Sequence, residues 1–317
     1  MSKGEHAMEY RKLGATDIDV SLIGLALALR FLDNTREDAA RRFDFAGFVL
    51  CGLACTTLLY AMELVGRNDT PWRLTGVLLA VGLAAGTLAW RHLRRVSQPV
   101  VDLSPLRVRT FAISVGGGSL FRISISAVPF LLPLMFQVGF GMNAFESGLL
   151  TLAVFAGNLA MKLVTTPVMR LFGFRAVLLV NGVLAAVSLA AMSLLSPATP
   201  RWAIVAVLFV SGLSRSLQFT ALNTLSFADV PKAQMSSASA LSSTLFQLTM
   251  GIGVALGAIA LRLAAWMHGH AGQAVTPEDF SVAFLLVALV GIFCVIDVFR
   301  LAGDAGAEVT GHRRPKP

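Results

Sequence analysis

The sequence predicts an all-α, polytopic membrane helix bundle, and three observations support it. Hydrophobic residues make up 56% of the 317 positions and charged residues only 14%, and the mean hydropathy is +0.72. Apolar runs near the ~20 residues that an α-helix needs to cross a bilayer recur along the chain. The loops between these runs alternate between basic and nearly neutral. We therefore expect a protein that crosses the membrane many times.

Residues 1–45 are predicted to form an N-terminal segment with a marginal helix and a charged cytoplasmic linker. The apolar stretch at 18–32 is ~22 Å long if helical, which is short of the ~30 Å hydrocarbon core. The linker that follows carries both acidic and basic residues. This stretch is the ninth and weakest of the candidate spans.

Residues 46–109 are predicted to hold two linking transmembrane helices and a basic interfacial segment. Firm apolar spans run from about 46 to 65 and from about 74 to 90. The residues from 91 to 109 are rich in arginine and read as a segment at the membrane surface.

Residues 110–300 are predicted to form a six-helix transmembrane bundle, and residues 301–317 a basic cytoplasmic tail. The six spans are expected at about 110–139, 147–166, 174–195, 202–226, 237–261 and 280–300. Short loops join most of them, so neighbours in sequence are antiparallel and no room is left for a soluble catalytic domain. With the two linking helices, eight spans are well supported.

The charge of the loops predicts the orientation. The side expected to be cytoplasmic carries Arg30, Arg36, Arg41, Arg42, Arg91, Arg94, Arg95, Arg107, Arg109, Arg170, Arg175, Lys232, Arg300, Arg313, Arg314 and Lys316. The opposite side carries only Arg67, Arg73, Arg201 and Arg262. The positive-inside rule therefore places the C-terminus in the cytoplasm. The net charge of +8 thus reports orientation in a lipid bilayer, and no nucleic-acid partner is expected.

Arg122 lies near the middle of the 110–139 run, at the depth of the bilayer midplane. A charge at this depth is costly in lipid and normally faces a protein interior or a wet cavity. A polar stripe at spacings of three and four surrounds it, formed by Ser119, Arg122, Ser126, Pro129, Pro133 and Gln137. One interpretation is a cavity lining; the other is a structural arginine satisfied by serines and backbone carbonyls.

Three further spans carry polar residues. Arg215 is also near the midplane and shares a face with Ser211 and Gln218. Lys162 follows Asn158 by one helical turn, and snorkelling toward the cytoplasmic end is its alternative interpretation. On the next-to-last span, Ser243 and Gln247 fit helix-to-helix hydrogen bonding as well as substrate contact.

The buried cations have no acidic partner at their own depth. The carboxylates within the spans are Glu63 and Asp297, and both lie near span ends. Three explanations are open: the partners lie on another segment or chain, the cavity is hydrated, or the cations receive an anionic substrate. The predicted substrate-path residues are Arg122, Ser126, Gln137, Asn158, Lys162, Arg215, Gln218 and Gln247. If buried, Lys162 is a candidate proton carrier.

No catalytic, metal or cofactor site is predicted. The sequence lacks the HExxH, GxSxG and P-loop patterns. Cys51, Cys55 and Cys294 lie inside apolar runs without a CxxC pair. His268 and His270 could touch a metal ion, but two exposed histidines usually belong to an ordinary polar loop. Close helix contacts are expected instead at two GxxxG pairs, Gly82 with Gly86 and Gly253 with Gly257.

The order of these features resembles the fourteen-helix drug:proton antiporters of the major facilitator superfamily, from about residue 18 to 300. RRFDFAGFVL at 41–50 looks like the start of the family's seventh helix, and LRVRTFAISV at 106–115 like the start of the ninth. The segments that resemble the ninth to thirteenth helices are FRISISAVPFLLPLMFQVGFGMNAFESGLL, MKLVTTPVMRLFGFRAVLLVNG, SLQFTALNTLSFADVP and SSASALSSTLFQLTMGIGV. The resemblance implies the C-terminal six-helix half of the fold plus two linking helices.

The sequence also departs from the family pattern. The cytoplasmic loop motif of the G-x-x-x-D-R-x-G-R-R kind is reduced to RLFGFR, with Arg170, Gly173 and Arg175 but no acidic residue. IDVSLIGL at 18–25 resembles the start of the sixth helix, with Asp19 and Ser21 in place of Asn and Pro. About the first five helices, which carry the family's proton-coupling carboxylates, are therefore expected to be missing from this chain.

The resemblance implies proton-coupled efflux of drugs or other small molecules across a bacterial-type inner membrane. The expected partners are the lipid bilayer, a small-molecule substrate, protons and a separate N-terminal half. Without that half we expect the chain to be inactive alone. The competing hypothesis is a non-transporting membrane interaction subunit, or a remnant, that pairs with a separate N-terminal half.

Overall fold

A computed structural model describes residues 10–12, 19–21, 44–65, 70–96, 99–270, 274–299 and 301. The chain divides into two compact units, residues 1–42 and 43–317. In the first unit, strands β1 (Tyr10–Lys12) and β2 (Asp19–Ser21) pair antiparallel, with Tyr10 opposite Ser21. The helix predicted at 18–32 is therefore wrong over 19–21, where Asp, Val and Ser are all weak helix formers. The rest of that predicted span lies outside the described residues.

The described part of the second unit is helical. Its helices are α1 (Phe45–Val65), α2 (Trp72–Leu93), α3 (Arg109–Leu134), α4 (Ala144–Met192), α5 (Arg201–Ala228), α6 (Met235–Met267), α7 (Pro277–Ile292) and α8 (Cys294–Phe299). Short 3-10 turns at Ser104–Arg107 and Lys232–Gln234 precede α3 and α6. Within the described residues, seven helical stretches are long and apolar enough to cross a membrane. The prediction of a polytopic membrane helix bundle is thus confirmed.

Helix α4 combines two of the predicted spans. Its 49 residues would extend ~74 Å, more than twice the thickness of a hydrocarbon core. The backbone breaks once, at Gly173, where φ is 73° and ψ is 163°. Glycine tolerates this positive φ because it has no Cβ. The predicted spans 147–166 and 174–195 fall on either side of this break, so the loop expected between them shrinks to one non-helical residue. The total of eight spans stays a prediction.

Helix α3 ends in a π-helical turn, Met135–Gly139. Pro133 precedes the turn, and a proline inside a helix removes one backbone hydrogen bond and crowds the preceding turn. The backbone N–H of Phe140 then donates to the carbonyl of Met135, five residues back. Asn143 caps the next helix by accepting the N–H of Glu146 at 2.8 Å. The chain thereby reverses between α3 and α4.

Helix α3 is at the centre of the bundle. It packs against α5, α6, α7 and α8, while α4 packs chiefly against α5 and also against α7 and α8. The core between them contains fully buried phenylalanines at positions 136, 174, 280 and 284. Helices α1 and α2 pack on each other, and α1 also contacts α6. This arrangement surrounds the middle of α3 with protein.

Hydrogen bonds of polar side chains connect both ends of α1 to neighbouring helices. Asp44 accepts the N–H of Gly47 and the imidazole Nε2 of His92, both at 2.8 Å. The hydrogen bond from His92 lowers the pKa of Asp44 below its usual value. At the other end, the guanidinium of Arg262 donates to the Val65 carbonyl at 2.6 Å. These bonds attach α1 to α2 at one end and to α6 at the other.

Two histidines clamp the start of α7. Asp279 is fully buried, and its carboxylate accepts from His268 Nδ1 at 2.7 Å and from His270 Nε2 at 2.8 Å. It also accepts the Thr276 N–H, as part of a capping box. Two ligands of a tetrahedral zinc ion would stand ~3.3 Å apart, given bonds of ~2.0 to 2.1 Å. The observed distances are those of hydrogen bonds, so we interpret the group as a clamp that joins α6 to α7.

The clamp predicts a pH-dependent stability. The hydrogen bond to Asp279 raises the pKa of His270 above its ordinary value, and Glu278 and His268 act in the same direction. The stability that this hydrogen bond adds is complete below the ordinary histidine pKa of about 6.5. It is lost as pH rises through the raised pKa of His270. In thermal unfolding between pH 5.5 and 8.5, the wild-type chain is expected to lose stability relative to His270→Gln as pH increases. Parallel curves for the two proteins would contradict the clamp.

Candidate functional site

A cavity of about 400 Å³ lies between α3, α4, α5 and α6. Five of the predicted substrate-path residues line it: Arg122, Ser126, Asn158, Lys162 and Arg215. The remaining lining residues are Ile125, Ser216, Phe219, Thr220, Asn223, Thr224, Phe246 and Met250. The cavity therefore has polar, cationic and apolar walls. Its volume falls within the range of small-molecule sites.

Arg122 is 3% exposed and lies ~20 Å along α3, near the middle of its span. Its Nη2 donates to Asn223 Oδ1 on α5 at 2.9 Å, and its Nη1 donates to the Ser114 carbonyl at 3.4 Å. The guanidinium carbon stands 5.9 Å from the centre of the Phe219 ring. These contacts hold the guanidinium between α3 and α5. Its Nε is buried and has no hydrogen-bond partner among the residues that the structure describes.

Arg215 and Lys162 reach the same cavity from two other helices. Arg215 is half-buried and lies ~21 Å from the start of α5, so it also stands at mid-depth. Lys162 is more exposed and lies on the part of α4 before Gly173. Among the residues that the structure describes, none of those lining the cavity is an aspartate or glutamate. Three cations thus share one cavity without a carboxylate on its described walls.

A second cavity of about 560 Å³ adjoins the first, because the two share Phe219, Asn223, Thr224 and Phe246. It lies between α5 and α6 and is lined by Gln247, Ser243 and other serines of α6. The predicted residue Gln247 therefore stands on a surface continuous with that of Arg122. We call the two together the α3–α6 cavity.

Gln218 and Gln137 lie outside the α3–α6 cavity. Gln218 is fully buried between α5 and the later part of α4, where its Oε1 accepts from Asn181 Nδ2 at 2.9 Å. Its Nε2 donates to the Leu178 carbonyl at 3.3 Å. Gln137 is exposed and donates to Ser147 Oγ at 3.4 Å, which connects the π turn to α4. Both contribute to helix packing in this structure.

The position of Gln218 predicts a loss of stability on substitution. Gln218→Leu is expected to lower the free energy of unfolding by about 2 kcal/mol, because one N–H of the buried Asn181 amide loses its acceptor. Thermal unfolding of the purified chain in detergent measures the change. Gln137→Leu, which removes an exposed amide, is the matched control and is expected to change stability little. Equal stability of the two variants would show that Gln218 does not belong to a buried hydrogen-bond network.

The predicted cytoplasmic loop motif lies at the break in α4. Arg175 Nη2 donates to the Phe299 carbonyl at 3.3 Å, at the C-terminal end of α8. A cation at a helix C-terminus is favourable because the last carbonyls have no partner within the helix. Gly173 provides the break, and Arg170 is in the last turn before it. In this structure the motif therefore joins two helix ends.

Asn223 is the main site residue that the sequence analysis missed. It provides the closest acceptor for Arg122 and lines both parts of the α3–α6 cavity. A signal was present, because Arg215, Phe219 and Asn223 follow one another at four-residue spacing and so lie along one side of α5. Phe219 adds an aromatic surface.

A membrane-spanning bundle with a polar cavity at mid-depth has the architecture of a membrane transport protein. The family model of the Major Facilitator Superfamily matches residues 20–254 and, in a second overlapping match, residues 117–316. The chain belongs to the major facilitator superfamily, as the sequence resemblance predicted.

Relatives with the provisional name multidrug resistance protein MdtD occur in several bacteria. The chain is 32% identical to the protein of Klebsiella pneumoniae (strain 342), over 94% of this chain and 63% of the relative. It is 30% identical to that of Escherichia coli O157:H7, over 95% and 64%, and 31% identical to that of Pectobacterium carotovorum, over 94% and 64%. The chain thus spans a little under two thirds of the length of these relatives.

Proposed function

We propose that this chain forms one wall of the substrate path in a proton-coupled drug efflux transporter of the bacterial inner membrane. The supporting observation is the α3–α6 cavity, which brings three cations from separate helices to one space, two of them, Arg122 and Arg215, near the middle of their spans. Charges at this depth are costly in lipid and are typical of substrate or ion pathways. The substrate class follows the names of the relatives, which are multidrug resistance proteins.

A second helix bundle is proposed to close the cavity. Transporters of this architecture form their sites at midplane depth between two repeats or bundles. The match covers 63% of the Klebsiella relative, so the rest of that protein has no counterpart in this chain. We propose that this unmatched part forms the facing wall of the cavity and carries the proton-coupling carboxylates. By the loop charges, the C-terminus of this chain is proposed to face the cytoplasm.

The function can be tested by accumulation of two fluorescent dyes, cationic ethidium and anionic carboxyfluorescein, in bacteria that lack their main efflux pumps. Expressed alone, the chain is expected to leave dye accumulation unchanged. Joined in frame to the unmatched portion of the Klebsiella relative, it is expected to lower the accumulation of at least one of the dyes several-fold, and a protonophore should restore that accumulation. A membrane-inserted fusion without export would overturn the proposal and favour a non-transporting interaction subunit. Proton-dependent export by the chain alone would overturn the need for a second bundle.

A further inference from the structure

We propose that the α3–α6 cavity selects an amphipathic organic anion, such as an aromatic carboxylate or sulfonate. This inference rests on the proposed function, since it names the substrate class of the same site. It follows from three features of the described cavity walls: an excess of positive charge, a buried arginine donor that has no partner among the described residues, and an apolar surface beside the cations.

The positive charge is not balanced by the described walls. Arg122, Lys162 and Arg215 line one cavity from α3, α4 and α5. The described lining residues that accompany them are neutral. Like charges that line one cavity repel each other, and an anion placed among them relieves that repulsion. A cationic drug would increase it.

Arg122 retains unused donor capacity. Among the described residues, the hydrogen-bond partners of its guanidinium are the Asn223 side chain and the Ser114 carbonyl, both neutral acceptors. They orient the group but do not neutralise its charge, and its buried Nε has no acceptor in the described part of the chain. A guanidinium is best satisfied by a carboxylate or sulfonate, which accepts two of its N–H groups at once. The arginine is therefore held in place and still able to bind an anion.

The apolar part of the wall is formed by Phe219, Phe246 and Met250, which line the same cavity. The two phenylalanine rings meet edge to face, with their centres 5.6 Å apart. Aromatic and thioether side chains accept flat apolar groups of varied shape. A ligand with an aromatic body and one anionic group would match both sides. The anionic head group of a phospholipid offers the same charge and must be distinguished experimentally.

The test uses two probes of the same shape and opposite charge, 2-naphthoate and 2-naphthylmethylammonium. Their binding to the purified full chain in an uncharged detergent is measured by equilibrium dialysis. The anion is expected to bind at least tenfold more tightly. Arg215→Gln should weaken anion binding at least fivefold and should not weaken cation binding. Arg94→Gln removes the same charge at the end of α2 and should change neither.

Ser126→Asp provides an independent variant, because it adds a carboxylate to the wall and keeps all three cations. It is expected to abolish the preference for the anion, and it decides the question if Arg215→Gln does not fold. Equal affinity for the two probes, preference for the cation, or binding of neither would overturn the inference. Displacement of naphthoate by phosphatidylglycerol at lower concentrations than naphthoate itself requires would assign the site to lipid and also overturn it.

The outcomes for this inference and for the proposed function are separable. Anion binding by a chain whose fusion does not export would keep the inference and overturn the function. Export of either dye by the fusion together with equal binding of the two probes would do the reverse.

Discussion

Replacement of Gly157 by leucine is expected to disrupt the contact between α4 and α5 and to lower the free energy of unfolding by at least ~3 kcal/mol. A Cβ at Gly157 would overlap the carbonyl oxygen of Phe209 and lie 3.0 Å from the Leu213 nitrogen. Both neighbours are backbone atoms, so no side chain can move aside. Gly212 makes the reciprocal approach, because its Cβ would overlap the Val154 carbonyl. The two helices must therefore separate to accept a side chain.

The measurement is thermal unfolding of the purified chain in detergent, together with its elution as a single species. Gly148→Leu is the matched control, since it changes the same residue type on the same helix. A Cβ at Gly148 would meet nothing within 4 Å, so this variant is expected to match the wild type. Gly212→Leu should reproduce the loss from the opposite helix. If Gly157→Leu and Gly148→Leu unfold at the same temperature, the close approach of α4 and α5 is wrong.

These glycines show why helix positions are predictable and helix contacts much less so. Span length and hydropathy depend on local composition, and the predicted spans lie close to the helices that the structure describes. Close approach of two backbones depends on which helices meet. The Gly253 pair was recognised by its GxxxG spacing, and a Cβ at Gly253 would indeed overlap the Ile123 carbonyl. Gly157 carries a weaker signal, with Ala153 four residues before it.

The site was predictable in its charges and less so in its geometry. Midplane depth alone pointed to Arg122 and Arg215, because the cost of a charge depends mainly on its distance from water. To place Gln218 outside the cavity, one must know which side of α5 faces α4. Gln218 lies one turn after Ser214, on the same side of α5. Asn181 bonds both the Ser214 carbonyl and the Gln218 side chain, so this face packs on α4. Arg215 and Phe219 are displaced from it around the helix and line the cavity.

The remaining differences depend on partners distant in sequence. The clamp on Asp279 joins residues on either side of a loop, and HGH alone does not indicate a buried carboxylate as its acceptor. At Gly173 the predicted loop becomes a single residue, because the backbone can break there without leaving the helical path on either side. Asp19–Ser21 forms a strand through pairing with residues seven to eleven positions earlier, which an apolar run does not encode.

Asn223→Leu is expected to lower the free energy of unfolding by about 3 kcal/mol, because the Arg122 cation would lose its 2.9 Å acceptor while it stays buried. Arg122→Leu should cost less, since it removes the charge itself and leaves a half-buried neutral amide. The double variant Arg122→Leu/Asn223→Leu is then expected to be more stable than Asn223→Leu alone. Unfolding of all four proteins in detergent completes the double-mutant cycle.

The coupling energy between the two positions should be about 1.5 to 3 kcal/mol, the usual range for a hydrogen bond to a charged group. Asn158→Leu is the control, because it removes an amide from the same cavity without breaking the bond to Arg122. Additive losses would contradict the coupling and would mean that water in the cavity replaces the lost acceptor. A large coupling, in contrast, requires that little water reaches the guanidinium. In that case the charge of Arg122 is balanced only when another group enters the cavity, and this condition makes a mid-membrane arginine selective for what it binds.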